Sequence, residues 1–339
     1  MDVVLIPAYE PDGELIKLTA GLAAEGFSVL VVDDGSGEAY APVFAAAAEN
    51  ATVIALEHNS GKGAALKAGM RYIRDHLPAC EYFVTCDADG QHRIEDCVRV
   101  RNKLHEGNKF VLTVRQRKGK IPLRSRVGND LSRFVYALLT NRYLSDNQSG
   151  LRGFARSHLD WMVNVEKNNY DYEMNVLYYA AKMGLKITTL PIEAIYIGNN
   201  ESSHFSPVQD TIRIYRSLFS LARGTFVAFA ASEVLVAIVS ATFGFSHLMM
   251  TLPAVGALSY LVCILFNAVY FRNIPRYDHW STLGFTVICY FFYTLMCQLA
   301  MYAVPDIPLF LAFNVVYLIA LPLRYALHKL VFIASLTKE

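Results

Sequence analysis

The sequence predicts two domains of different class: an α/β domain on a mostly parallel sheet, then an all-α domain of four membrane-crossing helices. Three observations predict this. Short apolar runs alternate with helix-length stretches through the front of the chain. Four long apolar segments fill the back. Charge is also divided unevenly. From Gly224 onward the 339-residue chain carries only five of its 31 Lys and Arg and four of its 30 Asp and Glu. The formal net charge is +1, so no global basic field points to a nucleic-acid partner.

The front elements follow in order. Val3-Val4-Leu5-Ile6, ended by Pro7, reads as a buried strand. Leu15, Leu18 and Leu22 recur at helical spacing. Val29-Leu30-Val31-Val32 is a second strand, closed by Asp33-Asp34-Gly35-Ser36. The Ala-rich residues 39–49 predict a helix, and 52–56 a third strand. Residues 62–76 predict a helix and 82–86 a fourth strand. Such alternation implies βαβ units and a parallel sheet covered on both faces. Ligands of these sheets bind outside the carboxyl ends of the strands. Pro7-Ala8-Tyr9, Asp33-Asp34, Asn59-Ser60-Gly61 and Asp87-Ala88-Asp89 all fall at such ends.

The N-terminal stretch has neither a basic region nor a long apolar segment, so it reads as a strand rather than a signal peptide. The front domain is therefore expected to stay in the cytosol. Six cysteines show no C-x-x-C spacing and read as buried thiols.

The apolar segments at about 225–245, 252–271, 283–304 and 308–327 each approach the length that crosses a bilayer. Arg213, Arg216 and Arg223 precede the first, Arg272 and Arg276 follow the second, and Arg324, Lys329 and Lys338 lie at the end. The other two loops carry no Lys or Arg. The positive-inside rule then places both termini in the cytosol. Between the domains, Val208, Ile212, Tyr215 and Phe219 lie near one helical face. That suits an amphipathic helix resting on the membrane surface; a plain surface helix fits the isolated segment equally well. The expected divisions are 1–204, 205–223 and 224–339.

Asp87-Ala88-Asp89-Gly90-Gln91-His92 carries the strongest chemical signal. Two carboxylates just past a strand end can converge on Mg²⁺ or Mn²⁺, which keeps positions open for substrate phosphates. Gln91 could add a neutral oxygen. Asp33 and Asp34 could bind ribose or a base edge, or could form a helix N-cap with Ser36. Asn59-Ser60-Gly61-Lys62-Gly63 lacks the spacing of a P-loop, with Leu56 and Gly63 at the positions that motif reserves for Gly and Ser/Thr. A Gly-rich helix start with Gly61 and Lys62 can still face an anion, though close helix packing is the competing reading. Arg115, Arg117, Lys118, Lys120, Arg124 and Arg126 form a basic run that could hold a phosphate acceptor. The segment from Asp146 to Phe154 and the Tyr170–Glu173 helix start read equally well as turn and capping chemistry.

Taken in order, IPAYEP, VVDDGS, NSGKGAALKAGM, DADGQH, DNQSGLRGF and YDYEMNVLYYAAKMGLKITTLPI resemble family 2 glycosyltransferases of the dolichol-phosphate mannose synthase type. The resemblance covers roughly residues 1–220 and implies a GT-A fold. The back resembles the GtrA-type four-helix membrane domain, through Phe266-Asn267 and Arg324.

The resemblance implies roles for individual residues. Pro7, Ala8, Tyr9 and Glu10 would cradle the base, and Asp34, with Asp33, would hold the nucleoside. Asp87, Ala88, Asp89 and Gln91 would take metal and diphosphate, with Gly61 and Lys62 beside the donor. Arg115 and Arg126 would grip the acceptor phosphate, with Arg124 as a rival for the second place and Ser149 nearby. Glu10 stands where the family commonly has Asn. QSGLRGF replaces the Q-x-x-R-W of processive synthases, which argues for transfer of one sugar.

The implied reaction moves one sugar from a UDP- or GDP-linked donor to a polyprenyl phosphate, with inversion and a Mg²⁺ or Mn²⁺ cofactor. It would proceed at the plasma membrane in a homo-oligomer. A processive polysaccharide synthase, or a non-enzymatic translocator or scaffold for lipid-linked sugars, are the alternatives.

Overall fold

The computed structural model describes residues 1–116, 123–140 and 142–193, with a few positions between 212 and 319. The chain divides into two compact units. The first holds residues 1–130, 145–181 and 185–217; the second holds 131–144, 182–184 and 218–339.

The first unit is organised by seven strands: β1 (Asp2–Ala8), β2 (Ser28–Asp33), β3 (Thr52–Ala55), β4 (Tyr82–Thr85), β5 (Phe110–Gln116), β6 (Arg152–Ala155) and β7 (Thr188–Glu193). They form one sheet in the order β3-β2-β1-β4-β6-β5-β7. β1 pairs in parallel with β2 and β4, β2 with β3, and β5 with β7. β6 alone runs antiparallel, between β4 and β5. The expectation of a mostly parallel α/β sheet therefore holds.

The helices are α1 (Glu14–Ala24), α2 (Ala41–Ala47), α3 (Lys62–His76), α4 (Ile94–His105), α5 (Leu123–Thr140), α6 (Leu159–Met162) and α7 (Asp171–Lys182). α1 turns Leu15, Leu18 and Leu22 into the core, as their spacing predicts. The helix expected over 39–49 is shorter. A 3-10 turn covers Glu38–Tyr40, and α2 begins at Ala41 because Pro42 is tolerated only in the first turn. α3 has the bounds predicted for it.

β1 is buried along all but its first residue, as a central strand with both faces covered must be. Its side chains join those of β2, α1 and α4 in a core that includes Val4, Ile6, Leu15, Val31, Val100 and Leu104. β3 sits at the sheet edge and is only half-buried. Strand order reverses between β1 and β4: β2 follows on one side of β1 and β4 on the other. The chain therefore leaves the carboxyl ends of β1 and β4 in divergent directions and opens a crevice there.

In the second unit the described residues beyond 217 are helical, and those that are exposed are apolar. Leu295, Leu299 and Tyr302 are exposed at helical spacing, as are Leu311, Val315 and Ile319, and Val234 and Ile238. Among the described residues no helix is long and apolar enough to cross a membrane. The four expected spans fall mostly outside the described residues, as do most of the expected amphipathic segment and the loops carrying Arg223, Arg272, Arg276, Arg324, Lys329 and Lys338.

Candidate active site

The crevice is a cleft of about 780 Å³, within the range of small-molecule sites. Its wall begins at the carboxyl end of β1 with Pro7, Ala8, Tyr9 and Glu10. Glu10 has a φ of 48°, in the left-handed region. Its N–H donates to Ser36 Oγ at 2.8 Å, and Ser36 N–H donates to Asp33 Oδ1 at 2.8 Å. The Asp33 carboxylate thus supports the turn after β2. It closes a turn rather than capping a helix, and Asp33 does not line the cleft.

Asp34 does line it. Its N–H reaches Ala8 O at 2.8 Å, tying β2 to β1. Its carboxylate accepts the N–H of Ser60 and of Gly61, both at 2.9 Å. Burial pushes this carboxyl above its ordinary value, and the two N–H donors pull the other way. Asp34 therefore fixes the loop that starts α3. Gly61 closes that loop at φ 96°, and a Cβ there would collide with Asn169. Only glycine suits both conditions.

Lys62 opens α3 and turns inward. Its ammonium lies 2.7 Å from Asp87 Oδ1 and 2.8 Å from Glu173 Oε2. It also sits 5.7 Å from the centroid of the Tyr170 ring. Burial opposes the Lys62 charge, but Asp87 and Glu173 outweigh it and raise its pKa. For Asp87 burial likewise works against the charge; Lys62 and His92 prevail and hold its carboxyl far below the usual range. His92 Nε2 is 3.6 Å from Asp87 Oδ2.

Asp89 lies in a different field. Burial and the neighbouring Asp87 charge push its carboxyl up. Its Oδ1 accepts the Gln91 backbone N–H at 3.1 Å. Asp87, Ala88 and Asp89 all line the cleft.

These residues fit a hard divalent cation. The donors are carboxylate oxygens, and Asp87 and Asp89 both line the cleft. Among the described residues no three His, Cys, Asp or Glu side chains form a cation cage. An ion here would complete its shell with water and substrate phosphate, the usual habit of Mg²⁺.

Other predicted residues lie elsewhere in the unit. Arg115 is held by Asp146 through two side-chain contacts, Nε to Oδ2 at 2.7 Å and Nη2 to Oδ1 at 3.1 Å. Burial opposes the Asp146 charge, and Arg115 outweighs it and lowers the carboxyl's pKa. Ser149 is buried, and its hydroxyl lies 2.6 Å from Thr113 Oγ1 inside the sheet. Neither Arg115 nor Ser149 lines the cleft. Arg124 and Arg126 fall on the first turn of α5, and their side chains lie outside the described residues. Arg117, Lys118 and Lys120 lie outside them altogether.

The cleft also gathers residues that the sequence left without a role. Tyr40, Asn169, Tyr170 and Arg213 line it, and Glu173 shares Lys62 with Asp87. Lys67, on α3, holds the segment before α7. Its ammonium donates to Lys167 O at 2.9 Å and Asn168 Oδ1 at 2.6 Å, with Val165 O at 3.4 Å. Glu173 and Arg213 carried a visible signal in their charge, but pairing them with the cleft needs contacts far apart in sequence.

A cleft at the switch point of such a sheet, lined by two strand-end carboxylates, lies where open α/β sheets bind their ligands. Residues 3–161 match glycosyl transferase family 2. An uncharacterized protein of Methanocaldococcus jannaschii is 30% identical over 202 residues, covering 57% of this chain and 81% of that protein. A UDP-N-acetylglucosamine–dolichyl-phosphate N-acetylglucosaminyltransferase of Methanococcus voltae is 29% identical over 215 residues, covering 57% of this chain and 85% of that one. Glucosyl-3-phosphoglycerate synthase from Mycobacterium tuberculosis, crystallised with Mn²⁺, UDP and glucosyl-3-phosphoglycerate, superposes with a TM-score of 0.50 at 16% identity. The match covers 65% of this chain and 79% of that one, and it is a likeness of fold alone. Residues 3–161 belong to glycosyl transferase family 2. The chain is a glycosyltransferase with a GT-A-like α/β domain.

Proposed function

We propose that this glycosyltransferase moves one sugar from a UDP- or GDP-linked donor to a polyprenyl phosphate at the plasma membrane. The observation that carries the reading is the cleft itself. It brings Pro7–Glu10, Asp34, Gly61, Lys62 and the Asp87–Asp89 pair to one wall. The dolichyl-phosphate transferase among the relatives supports the choice of acceptor.

Pro7, Ala8, Tyr9 and Glu10 take the base, and Asp34 stands beside the ribose. Asp87 and Asp89, with Gln91 nearby, would hold Mg²⁺ or Mn²⁺, which would supply neutralisation of the charge that develops on the leaving diphosphate. Arg115 with Arg126 or Arg124 orients the acceptor phosphate, and Ser149 supports that side of the site. A phosphate monoester has a second pKa of about 6, so its oxygen is already largely anionic and needs no side-chain base. That oxygen forms the new bond to the anomeric carbon as the bond to the diphosphate breaks. The nucleoside diphosphate leaves, and the anomeric centre inverts.

Residues 1–204 form the catalytic domain, 205–223 a juxtamembrane helix, and 224–339 a GtrA-like domain of four transmembrane helices with both termini cytosolic. The exposed apolar residues of the second unit favour that membrane domain. Leu295, Leu299, Tyr302, Leu311, Val315 and Ile319 face outward, which suits lipid better than water. Assembly into a homo-oligomer through this domain completes the reading.

The test uses full-length protein with undecaprenyl or dolichyl phosphate and a panel of UDP-glucose, UDP-galactose, UDP-N-acetylglucosamine and GDP-mannose. The expected product is a lipid carrying one sugar, lost in Asp89→Ala while the fold persists. Polymer, or no lipid product from any donor, would overturn the reading.

A further inference from the structure

We propose that Lys62 is the resident counter-ion of Asp87 and shifts onto Glu173 when a divalent cation and a nucleoside diphosphate arrive together, making cation binding depend on the nucleotide. The inference rests on the donor site described above.

Three elements converge on this ammonium. Lys62 begins α3, Asp87 follows β4, and Glu173 lies in the first turn of α7. The two ion pairs have nearly equal lengths, 2.7 and 2.8 Å, so Lys62 is shared rather than committed to one carboxylate. All three side chains are largely buried, where charge interactions are screened far less than at the surface. The ammonium needs only to rotate on its own stem to leave Asp87 while keeping Glu173. The Tyr170 ring centroid lies 5.7 Å from the same ammonium.

Charge balance favours a joint arrival. Asp87, Asp89 and Glu173 are met by two permanent cations, Lys62 and Arg152, whose Nη2 lies 3.9 Å from Glu173, and by the His92 ring, whose Nε2 lies 3.6 Å from Asp87. The immediate cluster is thus one negative charge in excess. A divalent cation alone would leave it one positive charge in excess, with Lys62 and the ion competing for Asp87. The diphosphate brings the negative charge that removes this conflict. Glu173 is fixed for its part: Arg152 Nη1 donates to its main-chain oxygen at 2.7 Å, and Arg152 Nε donates to Ser149 O at 2.8 Å. By linkage, whatever the nucleotide adds to cation affinity, the cation returns to nucleotide affinity.

The experiment is a Mn²⁺ titration of the full-length protein followed by electron paramagnetic resonance, alone and with UDP or GDP. Wild type should bind Mn²⁺ at least about tenfold tighter with its cognate nucleotide, a typical coupling strength. Lys62→Met should bind Mn²⁺ tighter than wild type in the absence of nucleotide, and the coupling should shrink. Glu173→Gln removes the retreat partner, so Lys62 should hold Asp87 harder and Mn²⁺ should bind more weakly. Glu173→Gln gives an independent answer if Lys62→Met fails to fold. Unchanged or weaker Mn²⁺ binding by folded Lys62→Met, or unchanged or tighter binding by Glu173→Gln, would overturn the exchange and leave the donor site standing. Wild type that binds no Mn²⁺ with either nucleotide would overturn both.

Discussion

Gly150 lies against the carboxylate of Asp87, so close that a Cβ on Gly150 would overlap both carboxylate oxygens. The contact follows from topology. Antiparallel β6 runs beside β4, and Thr85 Oγ1 donates to Gly150 O at 2.9 Å. Gly150, two residues before β6, is thereby pressed onto Asp87, two residues after β4.

Gly150→Ala should therefore displace Asp87 without dismantling the sheet. A shift of about 1 Å in a positioning group can cost about 100-fold in rate. Sugar transfer should fall by roughly that order, with circular dichroism unchanged. Turnover near wild type would mean that the position of Asp87 is unimportant.

The carboxylate of Asp34 holds two backbone donors, and Gly61 N–H is buried with it. Asp34→Ala should lower stability by about 1–3 kcal/mol for the orphaned Gly61 donor, with a smaller cost at Ser60, where water can reach. Asp34→Asn keeps one acceptor oxygen and should lose less. Denaturant midpoints of the two variants should rank in that order below wild type; equal midpoints would remove the loop-holding role.

Much of this architecture was legible in local sequence, and the exceptions have physical causes. β1, β2 and β4 announce themselves as apolar runs because a central parallel strand is buried on both faces. β6 is hidden because it opens with buried Arg152, whose charge is met by Ser149 O and Glu173. β7 contains Pro191, which a sheet edge tolerates. The acidic pair and the glycine-lysine loop were visible as strand-end motifs. The pairing of Lys62 with Asp87 and Glu173 was not, because nothing in their spacing brings three separate elements together.

Lys67 is a buried lysine whose charge serves the backbone. Burial and then Arg71 lower its pKa, yet it still binds the carbonyls of Val165 and Lys167 and the side chain of Asn168. Lys167 carries a φ of 77° in that segment, and Asn169 and Tyr170 follow it into the cleft. Lys67→Met should loosen 165–170. Proteolytic nicking there should quicken, and donor KM should rise by about tenfold with kcat less affected. An unchanged nicking rate would show that the segment holds itself.

His158 sets an acid limit. Burial, with the charge of Lys109, lowers its pKa to about 4, and Trp161 Nε1 donates to its Nδ1 at 3.1 Å. The folded pKa lies below the unfolded value of about 6.5, so the unfolded chain takes up the proton first. Stability is then full above about pH 6.5 and falls as pH drops toward about 4. The loss reaches about 3 kcal/mol at the lower end. His158→Phe should flatten this slope, whatever it does to stability at neutral pH. Thermal melts between pH 4 and 7 that keep the same slope in the variant would assign the acid sensitivity elsewhere.

Arg115 and Asp146 test the acceptor side. The guanidinium is clamped in two contacts, and Asp146 Oδ1 also accepts the Gln148 N–H at 2.9 Å. Such a fork orients Arg115 as lysine cannot. If Arg115 meets the acceptor phosphate, Asp146 is its positioning partner, and the two should act as a unit. Asp146→Asn should raise acceptor KM by about tenfold while donor affinity stays constant. Arg115→Lys should do the same, and the double variant should lose little more than either alone, because coupled residues are non-additive. Equal losses for donor and acceptor would instead make the pair a general support of β5. Fully additive losses would show that Asp146 does not act through Arg115.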